Sequence, residues 1–202
     1  MTDAPMTGVR EQEANAADGL KAFGFWVYLM TDLVLFASLF AAYAVLHTST
    51  FGGPSGRDIF DLPFVLAETV LLLTSSFTCG LALLSARAGS ARGTFAWLCA
   101  TLALGASFVA LEIYEFAGLV RAGDGPSRSA FLSSYFTLVG THGLHVALGL
   151  PWILAVMAAI LRRGLSRSSL RKLMLFSMFW HFLDLVWIFI FTVVYLMGAN
   201  LL

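Results

Sequence analysis

Apolar residues run through this chain in five long blocks, at about residues 22–46, 62–86, 94–120, 130–161 and 173–197, divided by short polar or turn-rich stretches. Each block reaches the ~20 residues that a helix needs to cross the hydrocarbon layer of a bilayer. The pattern predicts an all-α, polytopic membrane protein, a bundle of five transmembrane helices with little to present to water. Residues 21–202 form that domain in this reading. Met1–Leu20 is polar, carries acids and has no apolar core, so it is not a cleavable signal peptide. It is expected to be a flexible cytoplasmic leader.

Composition narrows the picture further. Hydrophobic residues make up 59 % of the chain and charged residues 12 %, with a mean hydropathy of +0.84, which excludes a soluble domain. The loops leave no room for a soluble catalytic domain, and no internal repeat is visible.

Orientation follows from the basic residues. Arg10, Lys21, Arg87, Arg92, Arg162, Arg163, Arg167, Arg171 and Lys172 fall on one side of the predicted bundle, and only Arg57, Arg121 and Arg128 on the other. Positive charge collects on the cytoplasmic side, so the N-terminus is expected in the cytoplasm and the C-terminus in the periplasm. The net charge of zero hides this asymmetry. Cys79 and Cys99 form no spacing motif and read as small apolar core residues.

Within the spans, Thr74-Ser75-Ser76-Phe77-Thr78-Cys79-Gly80 and the set Ala100, Ala103, Gly105, Ala106 and Ser107 suit close helix contact rather than lipid. The fourth span has no Lys, Arg, Asp or Glu between Ser129 and Leu161, but holds Gly140, Gly143, Gly149 and Pro151.

Candidate chemistry lies in the ionisable residues sunk in these spans: Asp32, Glu68, Glu112, Glu115, His142, His145, His181 and Asp184. Each costs free energy at such depth and needs protein, water or a partner around it. Counting ~1.5 Å per residue from the cytoplasmic ends sorts them into two layers. Asp32, His181 and Asp184 sit near mid-membrane on the first and fifth spans. Glu68, Glu112, Glu115, His142 and His145 sit in the outer third on the second, third and fourth. The pairs His181/Asp184, His142/His145 and Glu112/Glu115 each share a helix face at i, i+3.

Three roles are open to them. They can be hydrogen bonds and ion pairs between helices, for instance a Glu of the second span meeting a His of the fourth. They can form a proton path or lipid-headgroup contact. Or His142, His145 and His181 can ligate haem or metal, as in a membrane b-type cytochrome or a metal-binding membrane protein.

Two motifs carry a resemblance. Gly140-Thr141-His142-Gly143-Leu144-His145-Val146 resembles the Gly-x-His-Gly-Leu-His-Val signature of haem–copper oxidase subunit III. Phe179-Trp180-His181-Phe182-Leu183-Asp184-Leu185-Val186-Trp187 is similar to the Trp-His-Phe-x-Asp-x-Val-Trp segment of that family's last helix. Three further stretches, residues 52–65, 111–116 and 191–198, resemble more narrowly the cytochrome o ubiquinol oxidase branch. The likeness spans roughly residues 20–200.

The resemblance implies a five-helix, non-catalytic subunit III of a proton-pumping ubiquinol oxidase of the aerobic respiratory chain, in the bacterial inner membrane. It implies subunits I, II and IV and phospholipid as partners, and no nucleic acid. It also implies no cofactor in this chain, haem and copper being held by subunit I, and roles in stabilising subunit I, binding lipid and supporting proton uptake. Asp32 stands where many cytochrome c oxidases of the family carry a buried, carbodiimide-reactive Glu.

Overall fold

The computed structural model describes the backbone of residues 4–198 and the side chains of residues 19–198. The described chain is helical, without strands: α1 (Ala4–Leu46), α2 (Gly56–Ile59), α3 (Leu62–Arg87), α4 (Ala91–Arg121), α5 (Ala130–Arg163) and α6 (Arg167–Ile190), continued by a π-helical segment (Phe191–Leu196). Five stretches are long and apolar enough to cross a membrane: Gly19–Leu46, Leu62–Arg87, Ala91–Arg121, Ala130–Arg163 and Arg167–Leu196. These are the five blocks of the sequence pattern.

Local chemistry sets the helix starts. Asp61, Ser90, Ser129 and Ser166 are the N-caps of α3 to α6, and their side chains accept from the backbone N–H groups of Phe64, Gly93, Leu132 and Ser169 at 3.3, 3.2, 3.1 and 3.3 Å. Each bond satisfies a donor that a helix start leaves orphaned. The Ser166 cap also explains why α6 begins at Arg167 and not at residue 173, where the apolar block starts. At the far end of α5, Gly164 takes a φ of 63° and its N–H returns to Ile160 O at 2.8 Å. That left-handed position suits glycine and turns the chain into α6. α5 stays a single helix through Pro151.

Helix α1 begins at Ala4, within the stretch expected as a flexible leader. Ala, Glu and Gln, frequent there, are good helix formers.

The chain divides into two compact units between Leu35 and Phe36. In the first, the apolar side chains of Phe23, Trp26, Val34 and others are exposed, as suits a helix surrounded by lipid.

In the second unit four helices close a ring. α3 packs against α4 and α6, and α5 packs against the same two. Small residues permit the close approach. The Ser75 hydroxyl donates to Thr101 O at 3.1 Å, and the Thr78 and Thr101 hydroxyls meet at 2.9 Å, tying α3 to α4. The Trp180 ring fills the space between α4 and α5, where a Cβ at Gly105 or Gly149 would come within 2.7 and 2.6 Å of it. The last turns of α1 join this unit through Phe36 and Tyr43, both buried, with the Tyr43 hydroxyl donating to Val194 O at 3.4 Å. Cys79 is buried, but Cys99 lies on an exposed face, so only the first is a core residue; both are free thiols.

Candidate functional site

The ionisable residues of the spans settle into separate settings. His181 lies on the exposed face of α6 and Asp184 is half-buried one turn later. Both reach across to α3. The Ser76 hydroxyl pairs with His181 Nδ1 at 2.6 Å, and Ser76 also hydrogen-bonds the Asp184 carboxylate. The His181 ring edge lies against Gly80, 4.0 Å from where a Cβ of that residue would stand. A serine, a histidine and an aspartate thus form one polar cluster between α3 and α6. Asp32 belongs to the other unit. It is buried, at 7 % exposure, and hydrogen-bonded by Tyr28 one turn earlier in α1.

The second setting is built from α3, α4, α5 and the π-helical segment. Glu68 is fully buried, and Glu112 and Glu115 are close enough to act on it electrostatically. The Tyr195 hydroxyl donates to Glu115 Oε2 at 3.3 Å, and the Tyr135 and Tyr195 hydroxyls meet at 3.0 Å. Tyr135 also hydrogen-bonds Glu115. The π-helical turn is where the last helix presents Tyr195 to this group; such local widening recurs at functional positions.

Glu112 approaches α5 so closely that its carboxylate occupies the place of a Cβ on residue 143, a position open only because that residue is glycine. A groove of about 260 Å³ runs over this contact, lined by Val109, Glu112 and Ile113 of α4 and Gly140, Gly143 and Leu144 of α5. It is apolar apart from Glu112.

His142 is fully buried, and aromatic rings surround it: Trp187 with ring centroids 5.2 Å away, Phe108 at 5.9 Å and Phe36 at 6.3 Å. Trp187 is held in turn by its indole N–H, which donates to the Thr69 hydroxyl at 3.0 Å. His145 points Nδ1 back to Thr141 O of its own helix at 2.7 Å and lies against Phe36 at 5.3 Å.

The sequence reading expected a Glu of the second span to bond a His of the fourth. Among the described residues no such hydrogen bond forms: the oxygens of Glu68 and both ring nitrogens of His142 have no hydrogen-bond partner. Phe108 and Trp187 pack against the imidazole instead. Nor do the three histidines converge. No group of three or more His, Cys, Asp or Glu among the described residues could hold a metal ion.

Sequence reasoning missed the hydroxyls that serve the buried groups: Ser76, Thr69, Tyr135 and Tyr195. Ser76 stood in the small polar stretch of the second span, where the reading saw close packing and not a partner for His181. Tyr195 stood in the closing segment, one of the stretches that carried the resemblance, with nothing local to announce its contact with Glu115.

Comparison with known proteins gives one answer along the whole chain. The family described as Cytochrome c oxidase subunit III matches residues 2–199. The chain is 58 % identical over 199 residues to a Pseudomonas aeruginosa protein named Cytochrome bo(3) ubiquinol oxidase subunit 3, covering 98 % of this chain and 95 % of the relative. It is 48 % identical over 181 residues to Quinol oxidase subunit 3 of Bacillus subtilis, covering 90 % and 89 %. With Cytochrome c oxidase subunit 3 of Bacillus sp. (strain PS3) it shares 47 % identity over 188 residues, covering 93 % and 91 %. By full-length family match and by identity alike, this chain belongs to the cytochrome c oxidase subunit III family.

Proposed function

We propose that this chain is subunit III of a bacterial ubiquinol oxidase and supports the catalytic chains without reacting itself. Five apolar helices and bacterial quinol oxidase relatives make it a multi-pass protein of the bacterial inner membrane. The observation that carries the functional reading is the 58 % identity to a ubiquinol oxidase subunit 3 over nearly the entire length of both chains. Haem and copper chemistry belongs to subunit I in this reading, and subunits I, II and IV are its protein partners.

Its contribution is mechanical and electrostatic. Asp32, His181 and Asp184, with Glu68, Glu112, Glu115, His142 and His145, act as polar links within the bundle and toward its neighbours. The Ser76–His181–Asp184 cluster supports this, because an exposed imidazole at membrane depth needs protein or water beside it rather than lipid. Lipid binding and support of proton uptake belong to the same reading. The excess of Lys and Arg around the α3–α4 and α5–α6 loops supports a cytoplasmic N-terminus and a periplasmic C-terminus.

The test is purification in mild detergent followed by mass identification of companion chains. Subunits I, II and IV of a quinol oxidase are expected. A chain that emerges alone, or that keeps a Soret band when expressed and washed by itself, would overturn the reading.

A further inference from the structure

Three carboxyl groups lie together near the ends of α3 and α4 that border the α1–α3 and α4–α5 loops. Glu68 is fully buried and Glu112 is 4 % exposed. Glu112 and Glu115 both act on Glu68 electrostatically, and Glu115 acts on Glu112. The other titratable groups that act on them are Asp61, the N-cap of α3, with Tyr135 of α5 and Tyr195 of the π-helical segment. All are acids or phenols.

Among the described residues no Lys, Arg or His is one of the groups that act on the three acids. Arg121 lies six residues beyond Glu115 on α4, about 9 Å along a helix. Arg87 stands at the opposite end of α3 from Glu68. α5 has no Lys or Arg before Arg162, and the last helix none after Lys172. Of the imidazoles, His142 lies among aromatic rings and His145 bonds Thr141 O of its own helix.

Hydrogen bonds reach only part of the group. Glu115 accepts from the Tyr195 hydroxyl at 3.3 Å and also bonds Tyr135. Neither oxygen of Glu68, nor Oε1 of Glu112, has a hydrogen-bond partner among the described residues. A buried carboxylate keeps its charge only with donors or a cation beside it. Glu68 has neither, and two further acids act on it. Like charges sharing one apolar site cannot all ionise.

We propose that Glu68, Glu112 and Glu115 form a proton-binding site that exchanges with water through Asp61, exposed at the start of α3. Glu68 and Glu112 hold their protons as neutral acids. Glu115, bonded by two phenol hydroxyls and acted on by Asp61, is the member that takes up a proton and returns it. In that transfer the O–H bond of a protonated Asp61 breaks, an O–H bond forms on Glu115, and Asp61 regains its negative charge. Exchange takes place on the face that carries the α1–α3 and α4–α5 loops, the periplasmic face in the orientation proposed above. Such a site goes beyond the proposed function, because it binds protons by itself and from one defined face.

The test uses the protein purified with whatever chains accompany it and reconstituted in vesicles sorted by orientation. Infrared spectroscopy separates the C=O stretch of a protonated carboxyl from the bands of a carboxylate. Glu68→Gln, Glu112→Gln and Glu115→Gln keep the shape of each side chain and cannot ionise. Asp61→Asn still caps α3, since Asn serves that position as well as Asp, so it folds even where a buried variant does not. Near neutral pH, Glu68→Gln and Glu112→Gln should each remove the share of one carboxyl per chain from the acid C=O intensity. Acidifying the medium on the side of the α1–α3 loop should add acid intensity in the wild type. That gain should be lost in Glu115→Gln and slowed in Asp61→Asn.

Unchanged acid intensity in both Glu68→Gln and Glu112→Gln would overturn the site. So would a gain that Glu115→Gln retains, or one as fast in Asp61→Asn as in the wild type. A response only to the medium on the side of the α3–α4 and α5–α6 loops would also sink it. Absence of oxidase companions would count against the subunit reading alone, because the variants report on this chain's own carboxyl groups.

Discussion

Glu112 on α4 lies directly against the backbone of Gly143 on α5, its carboxylate in the space that any other residue at 143 would fill with a Cβ. The contact joins two features that look unrelated in sequence: an acid in the third span and a glycine inside the Gly-Thr-His-Gly-Leu-His-Val motif. Glycine here is a matter of space, because a buried carboxylate and a neighbouring helix share one volume. The substitution Gly143→Ala should therefore cost about 1–3 kcal/mol, the range for forcing extra atoms into a packed interior. Thermal melting of the purified protein reads this. The double variant Gly143→Ala/Glu112→Ala should recover most of the loss. A single variant that melts with the wild type would show that the two helices are not so close.

The same argument applies one helix pair further in. Trp180 is buried with its six-membered ring between Gly105 and Gly149, and its indole N–H donates to the Ser75 hydroxyl at 3.1 Å. One side chain thus gathers α3, α4, α5 and α6. Gly105→Ala and Gly149→Ala should each destabilise by about 1–3 kcal/mol. Combining either with Trp180→Phe should be less than additive, since the smaller ring removes the clash that the methyl group creates. Additive losses would mean that the alanines act through something other than the tryptophan.

How much of this could be read from the sequence varies from residue to residue. The five spans were legible because their apolar runs exceed what any soluble helix needs, but the caps that start α4 and α6 at Ser90 and Ser166 lie ahead of the apolar runs and were not read. That His181 and Asp184 need a partner was also legible, since burying a polar group without one is costly. Which atom meets the need was not. Ser76 lies 105 residues from His181, and a hydroxyl on one face of α3 is indistinguishable in sequence from its neighbours at 75 and 78. His142 shows the opposite case. Its burial in an apolar span made a Glu of the second span one possible partner, but the rings of Phe108 and Trp187, contributed by two other helices, pack around it instead. Three-dimensional packing decided both outcomes.

Ser76 makes a sharper test of the polar cluster than either ionisable residue. Its hydroxyl serves both His181 and Asp184, so Ser76→Ala removes two contacts while changing no charge. Hydrogen bonds between membrane helices average ~0.6 kcal/mol, so a loss of about 1 kcal/mol in stability is expected. Asp184→Ala also removes a charge beside His181 and should loosen the chain from its companions, seen as reduced co-purification. If Ser76→Ala lost nothing and Asp184→Ala co-purified at full yield, the cluster would have no role in holding α3 to α6 or the subunit to its neighbours.

Outside the membrane, the loop between α1 and α3 carries a titratable link of its own. The amide and the hydroxyl of Ser55 both donate to Asp58 Oδ2, at 2.9 and 2.6 Å. This reaching back of an acid to the residue before a helix closes the first turn of α2. Because both bonds favour the charged carboxylate, they hold the Asp58 pKa below its ordinary value, the Ser55 hydroxyl contributing most. The folded loop then binds that proton less tightly than the unfolded chain does. Its stabilising effect is complete above the unfolded carboxylate value of about 3.9 and is lost as pH falls through the lower folded value. Amide hydrogen exchange over residues 51–60, compared between wild type and Asp58→Ala at matched pH, follows this directly. Near neutral pH the wild-type loop should exchange more slowly than the variant, and the difference should close as the carboxylate is titrated. Equal exchange in the two proteins at neutral pH would mean that the Ser55–Asp58 bonds do not order the loop.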